Sequence, residues 1–284
     1  MDLPLRYYER IPDDFMLWLM ERGEHYRQKY GLKCLPILLK RMESDYVDGL
    51  KKRFTSSEIL PSYLALDLGF KETGGKYFMC RPDEFKRAAQ RSREYFKAAK
   101  ALGTSLAVTG NPPYLVGRFH KDIPLTKQLD RYSRNLKQLA DVAAEFDVTV
   151  AIENTGDFRV GELTGVIKHS QRDNVALAFD TGNTMLAEED PVEAARQAAP
   201  HARVVHMKDN FFQTVVWYGA KIFGTPIGGG HVDFPKILEL LQQNSPDAKS
   251  LVLDVEVMAR EGNEDELVEQ SLQHVRQRYG EYLS

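Results

Sequence analysis

Cysteine is scarce. The 284-residue chain has two, Cys34 and Cys80, far apart and in no Cys-x-x-Cys arrangement. That excludes a disulfide framework and a zinc site built on closely spaced thiolates, and it fits a reducing compartment. Long hydrophobic runs are also missing: none approaches the roughly 18 residues that a membrane span needs. The opening MDLPLRYYERIPDD lacks a basic stretch followed by an apolar one, so it does not read as a secretory leader. The expectation is a cytoplasmic protein with no membrane partner. Charge of one sign is not concentrated anywhere. The net charge is −3 and no Lys/Arg block stands out, which argues against a nucleic-acid partner. Low-complexity segments and internal repeats are absent. What remains, 43% apolar residues over this length, suits one large core, and residues 1–284 are expected to form a single domain.

From about residue 82 onward two textures alternate. RPDEFKRAAQRSREYFKAAKALG has helical spacing and stops at Gly103, a usual helix-ending residue. The short apolar TSLAVTG follows. LTKQLDRYSRNLKQLADVAAEF puts Leu129, Tyr132, Leu136, Leu139, Ala140 and Ala143 on one helical face, and VTVAIENTG comes next. VGELTGVIKHSQ precedes VALAFDTGN. DPVEAARQAAP, with Asp190 as N-cap and Pro191 in the first helical position, precedes RVVHMKD. VDFPKILELLQQ, with Asp233 as N-cap, precedes SLVLDVEV, and NEDELVEQSLQHVRQRYGEYL is a closing helix. Strands apolar on consecutive positions are buried on both faces, as in a parallel sheet covered by helices. Strict alternation of this kind makes either a (β/α)8 barrel or a doubly wound sheet. The length suits the barrel, and no glycine-rich dinucleotide fingerprint follows a strand. Toward the N-terminus, DDFMLWLMERGEHYRQKYGLKCLPILLK reads as helix then strand, and LPSYLALDLGF as another strand. That makes about seven strands, so the expected fold is an α/β, TIM-type barrel with an incomplete or irregular N-terminal βα unit.

The polar residues of these strands fall at their ends. VTVAIE ends at Glu153, VALAFD at Asp180, RVVH at His206 and LVLDVE at Glu256. In a parallel barrel the C-terminal strand ends share one rim, where active sites are built. Any one of these residues alone is more often a cap or a loop contact. Four in succession form an oxygen-rich set with one imidazole, suited to one divalent ion (Mn2+, Mg2+, Co2+ or Zn2+) with positions left for substrate. Burying three carboxylates together without a cation would be costly. Asp254 lies two residues before Glu256 and points the same way. Its place as the last ligand stays open, although strand depth favours Glu256.

In order, AIENTG, AFDTGN, VVHMKD, PIGGGHVDFPKILELL and LVLDVEV resemble the xylose-isomerase-like barrels of the sugar phosphate isomerase/epimerase family. The resemblance covers roughly residues 82–284 and extends more weakly to EHYRQKYGLKCLPIL, a placement that makes LPSYLALDLGF an insertion. It implies a divalent-metal site made by Glu153, Asp180, His206 and Glu256. In the ketose 3-epimerase branch, the glutamates matching Glu153 and Glu256 also move the proton. One takes it from carbon beside a carbonyl, the metal stabilises the enediolate, and the other returns it. A dehydratase branch shares the abstraction and then expels a hydroxyl. The chain departs from the epimerase pattern at Asn183, where that branch has histidine. The same position, and GGGHVDF in place of an Asp-x-His pair, count against the abasic-site endonucleases with their three zinc ions.

Further substrate contacts are expected of Lys208, which shares its side of the strand with His206, and of Asn154 and Asn183, which follow two of the ligands. The bland alternative for Lys208 is a solvated lysine pairing with Asp209. His231 lies in the glycine-rich GTPIGGGHVDF, which lacks the Lys-Ser/Thr ending of a phosphate loop. Arg118 and His120 lie on NPPYLVGRFHKD, where they could cover the barrel mouth. Phe212, Trp217 and Tyr218 follow the His206 strand in what reads as a long loop, available for sugar stacking or a core or oligomer contact. The leading expectation is a metal-dependent sugar isomerase or epimerase acting on a sugar or polyol. The alternatives are a lyase on a keto-inositol or 3-keto-glycoside, and a non-catalytic sugar-binding barrel or subunit of a complex. A homo-oligomer is left open.

Overall fold

A computed structural model describes residues 15–68, 77–110, 118, 120–215, 219–258 and 263–283. The opening MDLPLRYYERIPDD, most of the loop after residue 110, and Trp217 and Tyr218 lie outside the described residues.

The chain begins with α1 (Phe15–Tyr30), β1 (Cys34–Leu38), α2 (Ser44–Ser57) and β2 (Leu60–Ala65). It continues with α3 (Pro82–Leu102), β3 (Leu106–Thr109), α4 (Leu125–Ala144), β4 (Thr149–Glu153), α5 (Val160–Ser170), β5 (Val175–Asp180), α6 (Pro191–Ala198) and β6 (Ala202–Met207). After β7 (Asp209–Val215) and β8 (Gly219–Thr225) come α7 (Phe234–Asn244), β9 (Val252–Val255) and α8 (Glu264–Tyr279). Seven strands form one sheet in the order β1-β2-β3-β4-β5-β6-β9, every neighbouring pair parallel. The sheet curls into a nearly closed TIM-type barrel with its helices outside.

The helix boundaries follow the chemistry of their end residues. Gly103, at φ 92°, ends α3 and returns its N–H to Ala99 and Lys100 carbonyls. Asp190 accepts from the N–H groups of Val192 and Glu193, and Asp233 from that of Lys236. In the strands, alternate residues take opposite faces. Leu64, Ala107, Val150, Ile152, Leu177, Phe179 and Val205 join the core between sheet and helices. Tyr63, Val108, Ala151, Ala176, Ala178 and Val204 fill the barrel interior. The same alternation turns Glu153, Asp180 and His206 inward at the C-terminal rim.

Two expectations are corrected. LPSYLA is not an insertion: β2 lies between β1 and β3 in the barrel. The segment after His206 is not a long loop over its described part. Thr214 pairs with Ala220 and Asp209 with Thr225 in an antiparallel ribbon, with Phe212 on its half-exposed surface. No ladder joins β1 to β9 among the described residues. The helices beside that seam close it, for α1 packs on α8. Arg22 makes two 2.7 Å hydrogen bonds to Asp265, and Lys29 one of 2.6 Å to Glu269. No described helix is long and apolar enough to cross a membrane.

Candidate metal centre

The inward alternation delivers Glu153, Asp180, His206 and Glu256 to one place, where one ligand atom from each lies within 4.8 Å of the others. They are not at equal height. Asp180 pairs in register with His206, and His206 with Asp254, whereas Glu153 pairs with Ala178. Glu256 stands one inward step above Asp254 and still reaches the cluster. His206 Nδ1 is 3.2 Å from Glu256 Oε2 and 3.6 Å from Glu153 Oε1. Asp254 instead accepts a 2.7 Å hydrogen bond from Tyr63 below.

Lys208 is 3% exposed and sends its ammonium to Asp180 Oδ2 and Glu256 Oε1, 2.6 Å from each. It is not the solvated partner of Asp209. That carboxylate accepts the N–H groups of Gly228, Gly230 and Val232 and so ties down the glycine-rich turn. Gly182 makes room for the lysine, since a Cβ there would stand 2.7 Å from Lys208 Cγ. Thr181 Oγ1 donates to the Lys208 carbonyl and accepts from its N–H, so the ends of β5 and β6 are stitched together.

Asp180 Oδ1 accepts two 2.9 Å bonds from the backbone of Gly182 and Asn183. Asn154 clasps the same strand end, donating to the Asp180 carbonyl and accepting from its N–H. Asn183 donates to Glu153 Oε1 at 3.3 Å and accepts from Lys208 at 3.4 Å. Lys208, Asn183 and Asn154 therefore join the three acids and the imidazole. The other three expected contacts are engaged elsewhere. Arg118 pairs with Glu162 at 2.7 Å. The His120 ring accepts the N–H groups of Asp122 and Ile123. His231 accepts from the Phe212 N–H and packs its ring 4.7 Å from Phe211.

Burial and charge set the protonation. Burial pushes Asp180 up to about 6, against the pull of the Lys208 ammonium. Burial also opposes ionisation of Glu256, but Lys208 and His206 overcome it and bring it down to about 2. Burial would lower His206, yet Glu153 and Glu256 hold it well above its ordinary value. Lys208 is likewise raised despite its burial, by Asp180 and Glu256.

A divalent cation fits these residues. His206 Nδ1 is buried, has no hydrogen-bond partner, and faces two carboxylates. Three carboxylates against one ammonium leave two negative charges, which match a divalent ion, and the donor set is mainly oxygen. Tyr63 escaped the sequence reading. Its hydroxyl lies 3.2 Å from His206 Nε2, but the family resemblance makes its strand an insertion. The signal was its position two residues from Pro61 and Ala65 on the inward face of β2.

A parallel barrel with three carboxylates and an imidazole converging at its C-terminal rim defines a class of proteins, the (β/α) barrels with a polar site at that rim. The chain matches the xylose isomerase-like TIM barrel family over residues 28–278 and belongs to it. Among solved structures, a xylose isomerase-like TIM barrel protein from Mycobacterium smegmatis in complex with magnesium aligns with TM-score 0.72 at 13% identity, covering 96% of this chain and 92% of that one. A D-psicose 3-epimerase with D-tagatose from Clostridium cellulolyticum H10 aligns with TM-score 0.71 at 17% identity, covering 95% and 94%. In sequence, an inosose dehydratase of Lacticaseibacillus casei is 27% identical over 137 residues, 43% of this chain and 46% of that protein. The chain spans less than half the length of the curated relatives it matches.

Proposed function

We propose that the chain is a divalent-metal-dependent sugar isomerase or epimerase that moves a proton on carbon next to a carbonyl. The observation that carries this is the convergence of Glu153, Asp180, His206 and Glu256 at the rim, with two glutamates on separate strands. A bound divalent ion supplies Lewis-acid polarisation of the substrate carbonyl and of the neighbouring oxygen. The side chain of Glu256 is 41% exposed and that of Glu153 19%, while that of Asp180 is fully buried. The two glutamates are thus the carboxylates open to a substrate in the rim, and Asp180 is confined to holding the ion. One glutamate takes the carbon-bound proton and the other returns it. Asn183 orients Glu153 through its amide. Lys208 keeps Glu256 ionised and ties it to Asp180 and Asn183. Asn154 acts through the Asp180 backbone as a positioning residue.

A second reading, a dehydratase on a keto-polyol, draws on the similarity to inosose dehydratase and on Asn183 standing where the epimerase pattern has histidine. Incubation with ketoses and keto-inositols in D2O separates the two. Deuterium at the carbon beside the carbonyl without loss of mass supports the isomerase or epimerase; loss of water supports the dehydratase. Absence of exchange and of elimination across both panels, in protein saturated with a divalent ion, would sink both.

A further inference from the structure

Beneath the four rim residues lies a second polar layer to which the proposed proton transfer assigns no part. Tyr63, on β2, reaches across the barrel interior to Asp254 on β9 and to His206 on β6. Tyr63 and His206 are buried, each at 6% exposure, and Asp254 is half-buried. The Tyr63 hydroxyl is 2.7 Å from Asp254 Oδ2 and 3.2 Å from His206 Nε2, and the two rings lie 5.9 Å apart.

We infer that Asp254 and Tyr63 are positioning residues that hold His206 with its proton on Nε2 and its Nδ1 lone pair turned to the metal site. This rests on the proposed metal centre and says how its one nitrogen ligand is oriented. A hydroxyl has a single proton to give. The shorter contact, to a carboxylate, takes it, because a hydrogen bond to an ionised acceptor is the stronger. The hydroxyl oxygen is then left as an acceptor facing Nε2, and it is satisfied when Nε2 carries the hydrogen. A neutral imidazole with its proton there has a bare Nδ1, the atom that faces Glu153 and Glu256. The opposite polarity, with Tyr63 donating to Nε2, would place a proton on Nδ1 and block it as a ligand. Partners of this kind fix both tautomer and ring plane of a metal-binding histidine. They also give Asp254 a place in the barrel: it is the anchor of the chain that ends on His206, one layer below the ligands.

The test is 15N NMR of protein labelled at histidine, with the His206→Gln variant identifying the His206 signals among the seven histidines. The expected result is a slowly exchanging proton on His206 Nε2 in both ion-free and Zn2+-loaded protein, with Nδ1 bare in the loaded form. Tyr63→Phe keeps the ring and removes the acceptor. Calorimetric titration of that variant with Zn2+ and Mg2+ should show affinity about 10–100-fold weaker than wild type, and Nε2–H exchange should be faster. A bare Nε2 in wild-type protein overturns the inference, and so does a Tyr63→Phe variant that binds both ions as tightly as wild type. Failure of the metal centre itself shows differently: wild type then takes up no ion, while the ion-free spectrum, taken at a pH high enough for the ring to be neutral, still decides which nitrogen carries the proton. Should Tyr63→Phe not fold, the wild-type spectra alone carry the decision.

Discussion

Lys208 Nζ lies 2.6 Å from Asp180 Oδ2, and both side chains are buried, at 4% and 0% exposure. The lysine stands two residues beyond His206, just past the end of the strand that supplies the imidazole, so the barrel carries its own cation beside the carboxylates. Breaking a buried pair by removing one partner is far more costly than breaking one at the surface, because the remaining charge is left uncompensated. Lys208→Met should therefore lower stability by roughly 3–5 kcal/mol in chelator-treated protein. A divalent ion should restore part of the loss by supplying positive charge to Asp180 and Glu256. Thermal unfolding with EDTA and with Mg2+ measures both effects. A variant as stable as wild type in EDTA would show that the pair does not compensate the carboxylates.

Glu153→Gln removes one of the two proposed proton carriers and keeps the side chain's shape. Proton transfer by a positioned carboxylate contributes about 10²- to 10⁴-fold, so turnover should fall by that order while the circular dichroism spectrum is unchanged. Solvent-deuterium exchange into substrate should fall in parallel. A variant that keeps full exchange would move the proton-carrying role away from Glu153.

Ion binding to the folded state alone stabilises it by mass action, by about 2.7 kcal/mol at a hundred times Kd. Mn2+, Mg2+, Co2+ or Zn2+ should therefore raise Tm in a concentration-dependent way, and EDTA should abolish the rise. The same titration on Asp180→Asn, which loses a fully buried carboxylate of the cluster, should give a smaller shift. Equal shifts in both proteins would mean that the ion binds elsewhere.

Affinity for the ion should rise with pH. Burial places Asp180 at about 6, and Glu153 and Glu256 hold the His206 proton well above its usual range in spite of burial. Each must give up a proton to act as a ligand, so protons compete with the ion on the acid side. Kd measured from about pH 5 to about pH 8 should fall as pH rises through 6, with proton release visible as a buffer-dependent binding enthalpy. A Kd independent of pH over that range would contradict the ligand set.

Asn154→Ala tests the scaffold under Asp180. It removes two hydrogen bonds that clasp the end of β5 and leaves a buried carbonyl and N–H without partners. The expected cost is about 1–3 kcal/mol in denaturant unfolding, together with weaker ion binding. Lost stability with unchanged ion affinity would make Asn154 structural only.

Much of this is legible in the amino-acid sequence. The regular spacing of apolar strands and helices announced the barrel, and strand-end residues of ligand type announced Glu153, Asp180, His206 and Glu256, because both patterns are written at short range. The first two strands were harder. β2, with Tyr63, carries no ligand type and follows a segment of mixed pattern, so its place between β1 and β3 depends on contacts far along the chain. The reach of Lys208 was equally hidden. Nothing in VVHMKDN distinguishes a lysine turned to Asp209 from one buried against Asp180, and the difference comes from the space left by Gly182 in the turn after β5.

By itself, the amino-acid order determined which residue types stand at the ends of which strands, since a period of two in a strand and the caps of each helix are local properties. The tertiary structure decided which of them meet. Only the tilt and closure of the barrel bring Glu256 rather than Asp254 to His206 Nδ1 and leave Asp254 to Tyr63 below. That choice rests on the register between strands and the curvature of the sheet, which are set by packing across the whole molecule and appear in no single stretch of the chain.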